Sequence, residues 1–80
     1  MVTVYTKPRC VQCTATYRAL DKKGIPYNSV DIYEDADALD RLKALGYQQA
    51  PVVDSPIGDW SGFNPGKIDE LAEFFAQPVG

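Results

Sequence analysis

Val2-Thr3-Val4-Tyr5-Thr6-Lys7-Pro8-Arg9-Cys10-Val11-Gln12-Cys13 is the stretch on which the fold turns. Val2 to Thr6 is a β-rich run that ends at Pro8, which cannot donate to a ladder. A helix is expected from near Cys10 or Val11 to Lys23. Lys22 and Lys23 fall in its last turn, Gly24 takes the C′ position and Pro26 blocks continuation. Tyr27 to Tyr33 then alternates as a half-buried strand, with Val30 and Ile32 on one face. Strand, helix and strand in this order predict a βαβ unit with parallel strands. A Cys-x-x-Cys pair stands where its first strand hands over to its helix.

A second helix is expected from about Asp35 to Leu45. Ala36, Leu39, Leu42 and Leu45 form its apolar stripe, and Gly46 closes it. Glu34, Asp35 and Asp37 crowd its positive end, which reads as a solvated helix start rather than a cation site. Pro51-Val52-Val53 is a brief third strand, Asp54-Ser55-Pro56-Ile57-Gly58 a turn and Asp59-Trp60-Ser61 a fourth strand, paired as an antiparallel hairpin. Asn64 caps a last helix with Pro65 at N1. Ile68, Leu71, Ala72 and Phe75 line its buried face, and Pro78 stops it. The order β-α-β-α-β-β-α gives an α/β fold, a four-stranded mixed sheet flanked by three helices, in a single domain over residues 1–80.

The helix end is what makes the sulfur pair chemical. Free backbone N–H groups and the positive end of the macrodipole stabilise a thiolate at Cys10, and Lys7 and Arg9 add positive charge nearby. Cys13, one turn further in, is more buried, yet on the same face and within bonding reach. Cys10 is therefore the expected nucleophile toward a substrate disulfide and Cys13 the expected resolver of the mixed disulfide. Two other readings stand beside this one. A structural bridge over so short a loop would restrict the unfolded chain by only about 2 kcal/mol. Two cysteines could also supply half of a tetrahedral metal or cluster site shared with a second chain or an external thiol. Apart from the sulfurs, Ala50-Pro51 is expected to be trans by the general rarity of cis bonds, and Trp60 and Tyr17 read as core or half-buried aromatics.

Composition narrows the field. With 80 residues the chain has 45% hydrophobic and 24% charged residues, the proportions of a soluble globule. It has two cysteines and no histidine, so Ser-His and Cys-His pairs and imidazole metal ligands are excluded. The net charge of −3 argues against a nucleic acid or an anionic membrane as partner. No stretch approaches a membrane span or a signal peptide, which makes the cytoplasm the expected location. No exposed apolar stripe beyond residues 60–63 is evident, so a monomer is expected.

Cys-Val-Gln-Cys at 10–13, Thr-Ala-Thr-Tyr-Arg-Ala-Leu at 14–20, Gln-Ala-Pro-Val-Val at 49–53 and Trp-Ser-Gly-Phe at 60–63 resemble the NrdH-redoxins. These are glutaredoxin-like members of the thioredoxin-fold superfamily, and the likeness spans nearly the whole chain. The resemblance implies a thioredoxin/glutaredoxin-like fold and a redox-active Cys10–Cys13 disulfide, with no other cofactor and no metal. It implies an electron donor to the large subunit of class Ib ribonucleotide reductase, reduced by thioredoxin reductase rather than by glutathione. It also implies that Pro51 is a cis-proline facing the disulfide, and that Val11, Gln12, Ala50, Pro51, Trp60, Ser61, Gly62 and Phe63 form the partner-binding surface. Asn64 stands where the family usually has arginine. Independently, residues 44–66 contain no Lys or Arg while Asp54 and Asp59 are negative, a poor setting for the two carboxylates of glutathione. A glutathione-dependent glutaredoxin is the alternative.

Overall fold

The computed structural model describes residues 2–76. Its elements run β1 (Val2–Thr6), α1 (Val11–Lys22), β2 (Tyr27–Asp31), α2 (Ala36–Ala44), β3 (Val52–Ser55), β4 (Gly58–Ser61) and α3 (Pro65–Ala76). The strands form one mixed sheet in the order β2-β1-β3-β4. β1 pairs parallel with β2 and antiparallel with β3, and β3 pairs antiparallel with β4. The mixed sheet flanked by three helices is the one the element order predicts, and the fold is thioredoxin-like, as the resemblance implies.

Alternation along the strands divides the core into two. Val2, Val4, Val53 and Trp60 pack with Leu20, Ile25, Ile68 and Leu71, between the sheet and α1 and α3. On the other face Tyr5, Val52 and Ile32 meet Ala38 and Leu42 of α2, with Val30 partly buried beside them. Local chemistry marks several of the helix ends. Asp35 caps α2 by accepting from the Ala38 N–H at 3.1 Å, and Asn64 caps α3 by accepting from the Lys67 N–H at 3.1 Å. The asparagine that replaces the family's usual arginine therefore makes the N-cap. Gly24 and Gly46 both have positive φ, +70° and +88°, just past the ends of α1 and α2.

Four expectations need correction. β2 ends at Asp31 rather than Tyr33, because the Asp31 side chain accepts from the Tyr33 N–H at 2.8 Å and turns the chain. The β3–β4 turn is shorter than Asp54–Gly58. Asp54 and Ser55 stay in register with Asp59 and Gly58, leaving Pro56-Ile57 as the loop. The buried face of α2 is Ala38 and Leu42, whereas Ala36 and Leu45 are exposed at its ends. Phe75 is 44% exposed, because α3 buries Ile68 and Leu71 and its last turn runs past the core. The stop expected at Pro78 lies outside the described residues.

Tyr47, in the loop between α2 and β3, donates its hydroxyl to the Asp59 carboxylate on β4. That bond is the main reason its phenol is held above the ordinary value near 10, since ionisation would oppose it. A group whose pKa is raised by folding stabilises below its unfolded pKa and ceases to as the pH climbs through the folded one. Tyr47→Phe should therefore unfold at lower denaturant than wild type at neutral pH. The two should converge above pH ~10. A gap that persists through strongly alkaline pH would show that the tyrosine contributes by packing instead.

Candidate redox site

β1 delivers the chain to one end of the sheet, and Arg9 turns it with a left-handed φ of 59° into the cap of α1. Cys10 is that cap, extended at φ −103° and ψ 106°. Its Sγ accepts from the Cys13 N–H at 3.1 Å. The Cys10 carbonyl accepts from the Thr14 N–H at 3.2 Å and from the Thr14 hydroxyl at 3.3 Å. A helix-terminal amide thus points at the sulfur where charge develops when the pair is reduced.

Cys10 and Cys13 are joined as a disulfide, with Cα atoms 5.2 Å apart. Their surroundings differ: Cys10 is partly exposed, whereas Cys13 is only 2% exposed. Lys7 and Arg9 line the same cleft as both cysteines. Among the described residues neither enters an ion pair. They can raise the local potential without being neutralised by the chain's own acids.

The second motif folds back onto the first. The Ala50–Pro51 bond is cis, as the resemblance implies against the general preference for trans. The Pro51 carbonyl accepts from the Gly62 N–H at 2.8 Å, and the Phe63 N–H donates to Gln12 Oε1 at 3.3 Å. Gln12, flanked by Val11 and Cys13, therefore ties the sulfur turn to a loop 51 residues away. Gly62 needs to be glycine there. Its φ is +79°, and a Cβ would stand 3.3 Å from Gln12 Oε1.

The surface beside the disulfide is apolar. Val11 is 84% exposed and Phe63 41%, on the two segments that Gln12 joins, with Ser61 exposed and Ala50 and Gly62 half-buried. Two of the expected partner-binding residues are placed differently. Trp60 is only 7% exposed and belongs to the core under α1 and α3, because β4 alternates and turns Trp60 inward and Ser61 outward. The Pro51 ring is fully buried, so the half-buried Ala50 is the accessible residue of that pair. Sequence reasoning missed Lys43 and Tyr47. Lys43 stands one residue before the cation-free stretch, and the fold brings both into one hollow with Lys7 and Ala50.

The glutaredoxin family model matches residues 2–55, which include β1, the Cys10–Cys13 turn and the Pro51 segment. The chain is 43% identical over 70 residues to the glutaredoxin-like protein NrdH of Salmonella typhimurium, covering 88% of this chain and 86% of that one. The chain belongs to the glutaredoxin family as one of its NrdH-redoxins. The NrdH of Lactococcus lactis subsp. cremoris is 33% identical over 72 residues, covering 90% of this chain and all of that protein. The solved structure of the Escherichia coli NrdH-redoxin superimposes with a TM-score of 0.86 at 35% identity, over 99% of this chain and 97% of that one. As an NrdH-redoxin with a paired Cys10 and Cys13, the chain is a thiol–disulfide oxidoreductase.

Proposed function

We propose that this NrdH-redoxin is a dithiol carrier that reduces the large subunit of a class Ib ribonucleotide reductase and is re-reduced by thioredoxin reductase. The observation that carries the mechanism is the asymmetry of the pair, with an accessible Cys10 at the helix end and a covered Cys13 whose N–H faces Cys10 Sγ. The Cys10 thiolate attacks one sulfur of the substrate disulfide, forming a mixed disulfide as the substrate S–S bond breaks. The Cys13 thiol, losing its proton, then attacks Cys10, and the Cys10–Cys13 bond forms as the second substrate sulfur leaves as a thiol. Two electrons and two protons pass to the substrate, and no cofactor beyond the sulfur pair is required.

Thioredoxin reductase is favoured over glutathione by the stretch 44–66, which has no cation and holds Asp54 and Asp59. The Escherichia coli NrdH-redoxin, described for a thioredoxin-like activity profile, lends support. The exchange suits a cytoplasmic carrier. Among the described residues no helix is long and apolar enough to cross a membrane. The test is disulfide reduction driven either by NADPH with thioredoxin reductase or by glutathione with glutathione reductase. Turnover is expected with the first couple. Turnover with the second alone would overturn the choice in favour of a conventional glutaredoxin.

A further inference from the structure

The segment that leads into Pro51 is fixed from its two ends. Among the described residues Gln48, Gln49 and Ala50 enter no backbone–backbone hydrogen bond. Gln48 and Gln49 are exposed and Ala50 is half-buried. At the far end the Pro51 carbonyl accepts from the Gly62 N–H at 2.8 Å. At the near end Tyr47 has two anchors. Its N–H donates to the Leu42 carbonyl at 3.0 Å, which ties its backbone to α2, and its hydroxyl donates to the Asp59 carboxylate on β4.

The acceptor stands in an unusual place. Asp59 lies opposite Asp54 in the β3–β4 register, so the two carboxylates share the face of the sheet on which Val52 meets α2. Like charges directly opposite one another are unfavourable. Both acids hold the Tyr47 phenol above its ordinary value, the hydrogen bond to Asp59 foremost. A second acid beside Asp54 is a poor choice for stability alone. It does supply a strong acceptor on β4, two residues before Ser61 and on the same face.

We propose that Tyr47 and Asp59 are positioning residues for the extended chain that carries the substrate disulfide. The role rests on the reading of Ala50 and residues 61–63 as partner-binding. Neither Tyr47 nor Asp59 lines the cleft over the sulfurs. By tying the loop to the strand that leads into Ser61, Gly62 and Phe63, the hydroxyl sets residues 48–50 in place before the partner arrives. Their N–H and C=O groups are then available to an extended backbone. The cost of ordering the loop falls on folding and not on binding. A small disulfide, with no chain to lay along residues 48–50, gains nothing from that order.

The test uses the reduced 80-residue chain, freed of reductant, in single-turnover mixing with insulin or with bis(2-hydroxyethyl) disulfide. Acid quenching followed by chromatography gives each rate constant. Division by the rate with dithiothreitol corrects for the intrinsic reactivity of each disulfide. The readout is the ratio of the two corrected rates, insulin over small disulfide. Tyr47→Phe should lower that ratio about fivefold, with the small disulfide reacting within about twofold of wild type. Asp59→Ala should do the same. Asp59→Asn, which keeps an acceptor oxygen, should restore most of the ratio. The double variant Tyr47→Phe/Asp59→Ala should be no worse than either single one, since both remove the same bond. Ser55→Ala is the control for a merely structural role. It removes the hydroxyl that accepts from the Ile57 N–H and donates to the Gly58 carbonyl, so it weakens the same hairpin at its other end and should leave the ratio unchanged. An unchanged ratio in Tyr47→Phe, an equal loss toward both disulfides, additive losses in the double variant, or the same loss in Ser55→Ala would overturn the positioning role. Each would leave the oxidoreductase reading in place. A wild-type protein with no preference for insulin would instead overturn the partner-binding reading, and the positioning role with it.

Discussion

Cys13→Ser is expected to accumulate a covalent mixed disulfide between Cys10 and its substrate, and Cys10→Ser is expected to form none. The prediction follows from position. Cys10 is the accessible sulfur at the start of α1 and accepts the Cys13 N–H, whereas Cys13 is covered and reaches only Cys10. With the resolving thiol gone, the first exchange proceeds and the second cannot. Steady-state turnover should fall by on the order of a thousandfold or more in both variants, since each lacks one of the two sulfurs the cycle requires. Mass spectrometry of the protein after incubation with a disulfide substrate separates them. A trapped adduct on Cys13 in the Cys10→Ser protein would mean that the roles are reversed.

Trp60→Ala should cost about 3–5 kcal/mol of stability, the usual range for deleting a buried large aromatic. A chain of this size has a total stability of only about 4–12 kcal/mol, so the variant should be partly unfolded or sharply shifted in its denaturant midpoint. The indole is part of the cluster made by Val2, Val4, Leu20, Ile25, Val53, Ile68 and Leu71. Its Nε1 is buried without a hydrogen-bond partner among the described residues, so Trp60→Phe removes that donor along with some volume and should be far milder than alanine. Denaturant unfolding followed by circular dichroism decides the matter. A Trp60→Ala protein of wild-type stability that reduces its partner poorly would return Trp60 to the docking surface.

These two residues also mark how far the sequence could be read. Cys10 and Cys13 were legible because a helix end has a local signature. Pro8 breaks the strand, and the pair opens the helical pattern that runs to Leu20. The same holds for Asn64, whose cap involves a neighbour three residues on. Trp60 was harder, because its side depends on the register of β4 against β3. That register was obscured by the clump Asp54-Ser55-Pro56-Ile57-Gly58, which reads as one long turn. In the fold Ser55 accepts from the Ile57 N–H at 3.3 Å and donates to the Gly58 carbonyl at 2.7 Å, so two residues suffice for the reversal. Phe75 misled for a different reason. Its spacing continues the stripe of Ile68 and Leu71, and nothing local says where the core under a helix ends. Gln12 carries no signal of its own, since its partner is the Phe63 N–H on the far side of the sheet order. That Lys7 and Lys43 line one hollow is likewise a product of topology, which brings the β1–α1 turn near the end of α2.

The short Pro56-Ile57 reversal has a practical side. β3 runs antiparallel to β1, so the loop that ends β3 lies at the opposite end of the sheet from the turn that ends β1 and holds the sulfurs. Four strand residues, about 13 Å of extended chain, separate it from the Pro51 segment. Pro56 is exposed, while Ile57 beside it leans on the core and anchors the turn. An electrode tether, a fluorophore or a fused domain attached at Pro56 would hold the molecule by its inert end. The disulfide would then face outward, in a uniform orientation for electron transfer.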